Sequence, residues 1–161
     1  FAVQLLHRNM KIYEKKGKEM ATEVFELITE KKIHGIYITG SGPNIATAMQ
    51  AALIMSESTK LSFQGLPMAQ YDHGPKETAQ DSIIIQIVAK GKSYERTLTL
   101  GEKIKESGAT LITIEEPETE EQYSILHNII PFNFMAYYLS LKLKVSETFT
   151  VGGKVTEVDL S

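Results

Sequence analysis

The chain has 161 residues, 42% of them hydrophobic, 23% charged and none of them cysteine, with a formal net charge of −3. That length builds one sizeable core and not two, and the lack of cysteine excludes a disulfide framework and a thiolate metal site. The seventeen Lys and Arg are dispersed along the chain, leaving no basic excess to neutralise a nucleic-acid backbone, and no apolar run nears the roughly 20 residues that span a bilayer. Neither nucleic acid nor a membrane is expected as a partner, and a cytoplasmic location is expected. The start at Phe1, without the pattern of a signal peptide, reads as a fragment of a longer polypeptide.

Apolar residues at helical spacing through Val3, Leu5, Leu6, Ile12, Met20, Val24, Leu27 and Ile28 predict one or two amphipathic helices over residues 1–30, with Gly17 as the break. Ile33 to Thr39 is short, β-branched and bounded by glycine, as suits a strand buried on both faces of a parallel sheet. It feeds the turn Gly40-Ser41-Gly42. Pro43 then opens a helix running to about Thr59, with Glu57 near its end. Leu61 to Phe63 suggests a short strand, and Gln64-Gly65-Leu66-Pro67 with Asp72-His73-Gly74-Pro75 punctuates an irregular connection where function is expected. Ser82 to Val88 is the strongest strand signal, Tyr94 to Glu106 reads as a helix closed by Gly108, and Thr110 to Ile114 as another buried strand. Asn128 to Ile130 suggests a last strand before a helix through Phe134, Tyr138, Leu141 and Leu143. The alternation predicts an α/β fold over residues 31–144, a doubly wound parallel sheet of about five strands in a three-layer sandwich. Residues 145–161 read as an extended C-terminal tail, so residues 1–161 make one domain.

Gly40-Ser41-Gly42 opens like a dinucleotide fingerprint, but Ile45 stands where the third glycine belongs and no acidic residue closes the next strand. No nicotinamide or flavin is expected. A turn that presents N–H groups and a hydroxyl at a helix start suits an anion or sugar hydroxyls, and it equally serves to close a strand-to-helix connection. Lys90, Lys92 and Ser93 surround Gly91 where a strand ends and a helix begins, a place that favours ligands in open parallel sheets, although plain surface charge reads as well. Glu57 follows the largely uncharged Leu53-Ile54-Met55-Ser56, a setting for a partly desolvated general base. His73 sits in a stiff Gly-Pro context that can aim an imidazole, whereas His7, His34 and His127 lack such a setting and are set aside. These groups do not assemble a metal set. Lys154 follows Gly152-Gly153, which let the tail approach another element.

At these residues the chain resembles the sugar isomerase (SIS) domain, and more narrowly the second, C-terminal of the two such domains in glutamine:fructose-6-phosphate amidotransferase (glucosamine-6-phosphate synthase) and related phosphosugar deaminases. The resemblance runs nearly the whole length: the leading helix, Gly40-Ser41-Gly42, Ala51-Ala52-Leu53 leading to Glu57, the interval to His73-Gly74-Pro75, and the ending Lys154-Val155-Thr156. It implies a flavodoxin-like SIS fold in which Glu57 shuttles a proton between C1 and C2. By the same resemblance, His73 opens the sugar ring, commonly in a neighbouring subunit's site, and Lys154 engages the open-chain carbonyl. Two features depart from the synthase pattern. Ile54 stands where the synthase has a lysine one turn before its glutamate, and Ala89-Lys90-Gly91-Lys92-Ser93 does not match the serine- and threonine-rich phosphate loop of the first SIS domain.

The resulting expectation is a phosphosugar isomerase domain that aminates and isomerises fructose 6-phosphate or deaminates glucosamine 6-phosphate, with no cofactor. Its expected partners are a phosphorylated hexose or hexosamine and another SIS domain, in a homo-oligomer such as a dimer or from a missing N-terminal half. The candidate catalytic residues are Glu57, His73 and Lys154; the candidate substrate-binding residues are Gly40, Ser41, Gly42, Lys92 and Ser93. The alternatives are a non-catalytic phosphosugar-binding regulatory module and a double-SIS deglycase.

Overall fold

The computed structural model describes residues 2–146. Helix α1 (Ala2–Glu30) is followed by β1 (Ile36–Gly40), α2 (Asn44–Thr59), β2 (Phe63–Pro67), α3 (Met68–His73), a 3-10 turn (Pro75–Thr78), β3 (Ile83–Val88), α4 (Tyr94–Glu106), β4 (Thr110–Glu115), α5 (Glu121–Asn128) and α6 (Ile130–Lys142). The strands lie in the order β2-β1-β3-β4 and all pairs are parallel, with Ile36 beside both Phe63 and Ile83, and Ile83 beside Thr110. The chain steps out from β1 to β2 and returns to β3, so its direction reverses between β1 and β3.

Alternate strand residues face opposite layers, and the two cores divide accordingly. Ile36, Ile38, Ile83, Ile85, Ile87, Ile112 and Ile114 meet α1, α2 and α6 through Met20, Val24, Ala48, Ala51, Met55, Phe132, Met135 and Leu139. Tyr37 and Ile84 on the other face meet α3 and α4 through Met68, Tyr71, Leu100 and Ile104. The wholly buried Ile-rich β3 is what a strand covered on both faces requires.

Four features differ from the sequence reading. The sheet has four strands among the described residues where about five were expected, because Asn128 and Ile130 end α5 and begin α6 instead of pairing as a strand. Helix α1 passes through Gly17 without a break. Gly17 instead lets α6 come close, since a Cβ there would lie 2.5 Å from the Pro131 carbonyl oxygen and 2.6 Å from Phe134 Cβ. The second strand begins at Phe63 and runs to Pro67 where Leu61 to Phe63 was expected. The connection between Gln64 and Pro75 is mostly regular: β2 is followed directly by α3, whose Met68 and Tyr71 fill this chain's own second core.

Candidate functional site

At the carboxyl edge of the sheet, β1 delivers Gly40 into a turn on which the start of α2 rests. A side chain on Gly40 would strike the Asn44 carbonyl, and Gly42 turns the backbone at φ +54°, a left-handed conformation that glycine adopts without strain. Asn44 begins α2 fully buried: its Nδ2 donates to Ser124 Oγ at 2.8 Å, while Asn128 Nδ2 and Thr47 Oγ1 donate to its Oδ1 at 3.2 and 3.3 Å. This network ties α5 across the carboxyl edge. One consequence is that the Glu121 carboxylate, in the first turn of α5, lies against the backbones of both Gly42 and Gly91. Gly40, Ser41 and Gly42 thus share this edge with the β3–α4 turn that carries Lys90, Lys92 and Ser93. Lys90 and Lys92 are exposed and Ser93 is half-buried.

Glu57 stands at the other end of the domain. Helix α2 runs back along the sheet, and its 16 residues cover about 24 Å. Ser56 Oγ accepts from the N–H of Phe63, the first residue of β2, at 3.1 Å, which fixes this end of α2 at the amino edge of the sheet. Glu57 is exposed there. His73 ends α3, on the opposite face of the sheet from α2, and is exposed too. The preceding Asp72 does not orient the imidazole. Its carboxylate accepts from Lys76 Nζ at 3.0 Å and Arg96 Nη2 at 3.4 Å, and the Lys76 hydrogen bond above all holds it below the usual carboxylate range. One chain therefore does not bring Glu57, His73 and the glycine turn into a single pocket. Lys154 lies outside the described residues.

A second constellation contains His127, which the sequence reading set aside. Glu116, one residue beyond β4, is almost wholly buried and accepts hydrogen bonds from Tyr13 Oη, from Asn9 Nδ2 at 3.4 Å and from the Glu118 N–H at 3.0 Å. The Tyr13 hydroxyl also lies 2.8 Å from Nδ1 of the fully buried His127. Because Tyr13 donates its one proton to Glu116, its oxygen accepts from His127 Nδ1–H, and Nε2 is left as an acceptor with no partner among the described residues. Burial drives His127 below its ordinary 6.5, against the pull of Glu116. Burial works to raise the Glu116 carboxyl, but the hydrogen bonds from Tyr13, Glu118 and Asn9 prevail and hold it low. Burial and the same carboxylate push the Tyr13 phenol well above its usual range. The trio lines a cleft of about 450 Å³ with Lys16, Asn128 and Pro131. No local motif marks it, because its members lie at positions 13, 116 and 127; the one available signal was a histidine on the buried face of a short helix.

No protein-family model matches the chain. The glutamine–fructose-6-phosphate aminotransferase (isomerizing) of Thermococcus kodakarensis is 24% identical over 141 residues, covering 78% of this chain and 23% of that protein. Its namesake in Pyrococcus horikoshii is 24% identical over 153 residues, covering 86% and 24%. The chain thus spans about a quarter of the length of the curated relatives it matches. Among solved structures, the C-terminal domain of glucosamine-fructose-6-phosphate aminotransferase from Francisella tularensis superposes with a TM-score of 0.68 at 16% identity, over 88% of this chain and 44% of that one. Glucosamine-6-phosphate deaminase from Thermotoga maritima gives 0.65 at 15% identity, over 88% and 46%. The chain carries the sugar isomerase (SIS) fold and is similar in sequence, over most of its length, to the glutamine–fructose-6-phosphate aminotransferases.

Proposed function

We propose that this domain is the second SIS half of a phosphosugar isomerase in which Glu57 moves the proton between C1 and C2 of an open-chain hexose phosphate. The site is completed by another SIS domain. The observation that carries this reading is the exposed face of α2, where Met49, Leu53 and Glu57 follow one another at four-residue intervals. Residues so spaced stand in one row along a helix. Met49 and Leu53 are 57% and 51% exposed, large apolar side chains leading to a carboxylate. A second domain laid on this row would desolvate Glu57 as a base requires. His73, on the opposite face of the sheet, serves a different copy of the site, where it opens the sugar ring; Lys154 meets the carbonyl.

The reaction is amination with isomerisation of fructose 6-phosphate, or deamination of glucosamine 6-phosphate, as the names of the relatives suggest. A second reading, a phosphosugar-binding regulatory module or a deglycase, is favoured by Ile54. It packs partly buried against the core one turn before Glu57 and brings no amine to the site. The parent protein incubated with fructose 6-phosphate and ammonia, or with glucosamine 6-phosphate, separates these: turnover supports the isomerase, and sugar phosphate binding without turnover supports the regulator.

A further inference from the structure

The reversal of chain direction between β1 and β3 creates the crevice in which open parallel sheets hold ligands, beyond the carboxyl ends of the strands. Two turns line it, residues 40–43 after β1 and residues 89–93 after β3. The Glu121 carboxylate is wedged between them. A Cβ on Gly42 would come within 2.7 Å of Glu121 Oε1, and one on Gly91 would collide with Oε2 and Cδ. Among the described residues this carboxylate has no ion-pair or side-chain hydrogen-bond partner, not even Lys90 or Lys92 of the turn it touches. Its place is set instead by α5, which Asn44, Ser124 and Asn128 hold across the edge.

We propose that Glu121 is a specificity-determining residue that closes the β1/β3 crevice to phosphate and other anions. The β1 side has little left to offer an anion, since the N–H groups of Asn44, Ile45 and Ala46 donate to Ser41, Gly42 and Pro43 carbonyls at 3.0, 3.2 and 3.2 Å, and Pro43 has no N–H. The β3 side keeps Lys90, Lys92, the Ser93 hydroxyl and the start of α4, all suited to phosphate. A phosphate there would meet the Glu121 charge at contact distance, inside any screening length, and would have to displace it. The crevice so closed turns away the phosphate of a sugar ligand, which must be held outside it. The proposal rests on the phosphosugar reading only in making phosphate the anion of interest.

Inorganic phosphate titrated into the full chain, followed by amide NMR shifts of Gly91, Lys92 and Ser93, tests it without a sugar or a turnover. The unaltered chain should show no saturable shift, Glu121→Ala should bind on the order of tenfold tighter or more, and Glu121→Gln, which keeps the volume and removes the charge, should fall between. Thermal melts accompany both variants, and the Gln variant carries the test alone if the Ala variant melts early. Lys92→Ala added to Glu121→Ala should abolish the gain. Saturable binding by the unaltered chain as tight as by the variants, no gain in either folded variant, or full affinity in the double variant would each overturn the proposal. Turnover by the unaltered parent protein is measured apart from this titration, so failure of the isomerase reading is separately visible.

Discussion

Replacing Glu57 with Gln keeps the side chain's shape and removes its basicity. The parent protein carrying Glu57→Gln should lose on the order of a hundredfold to ten-thousandfold in exchange of the C1 or C2 proton with solvent, with sugar phosphate affinity nearly unchanged. Near-normal deuterium exchange in a folded variant removes Glu57 from the mechanism. The buried trio makes a different claim. Below about pH 6.5 the unfolded chain takes up a proton at His127 that the native state resists, so stability should fall as pH drops through the interval beneath 6.5. Glu116 acts in the same direction at lower pH, its contribution being present above its ordinary 4.5 and lost as pH falls through its depressed native value. Thermal midpoints should decline from about pH 6.5 to pH 5 in the unaltered chain and run flatter over that interval in His127→Asn, with lower stability overall by about 1–3 kcal/mol because Tyr13 loses its buried donor. A flat wild-type profile contradicts this account. At this scale Glu57 and His73 could be singled out as candidates from residue type and neighbours, whereas the partnership of Tyr13, Glu116 and His127 could not, because only folding brings positions so far apart together.

Gly17 distinguishes two accounts of α1. Were it a helix break, Gly17→Ala would stabilise the chain by about 1 kcal/mol through helix propensity. With Pro131 and Phe134 packed on it, the added methyl group should instead destabilise by about 1–3 kcal/mol, read as a lower urea midpoint at unchanged slope. Glycine in a helix carries two meanings that sequence alone does not separate, a weak point in the helix and a close approach by a neighbour. The wholly buried strands β1 and β3 were easier to read, since a β-branched run buried on both faces has no period to misjudge. Helix α3 was missed because Met68–His73 is only six residues long and lies between two Gly-Pro-rich stretches that read as loop. Its existence depends on the pocket that Tyr37, Ile84 and Leu100 offer to Met68 and Tyr71, which is a tertiary cause.

The exposed row on α2 makes the proposed interface with a second SIS domain testable. Leu53→Asp changes a side chain that is half in solvent, so the isolated domain should keep its fold and thermal midpoint, while association with a second SIS domain and isomerisation by the parent protein should both be lost. Sedimentation of the variant and the unaltered chain, at micromolar concentration, checks the first point; equal association in both would assign the interface to another surface. The α/β architecture was readable from the alternation of elements, but the distribution of the candidate catalytic groups over two faces and two ends was not. That distribution depends on strand order, which local sequence does not state.

The packing of α1 on α6 bears on how the chain is made. The helices are joined by Gly17 against Pro131, by Tyr138 Oη donating to Glu14 at 2.7 Å, and by the ammonium groups of Lys18 and Lys142 over the rings of Tyr138 and Phe25. The first described helix thus rests on the last described one. At roughly 5–20 residues per second, about a hundred residues of synthesis separate them, leaving Met20, Ala21 and Val24 without their final cover for about 5–20 s. During that interval the nascent chain presents an amphipathic helix of 29 residues with an open apolar stripe, the kind of surface that holdase chaperones bind.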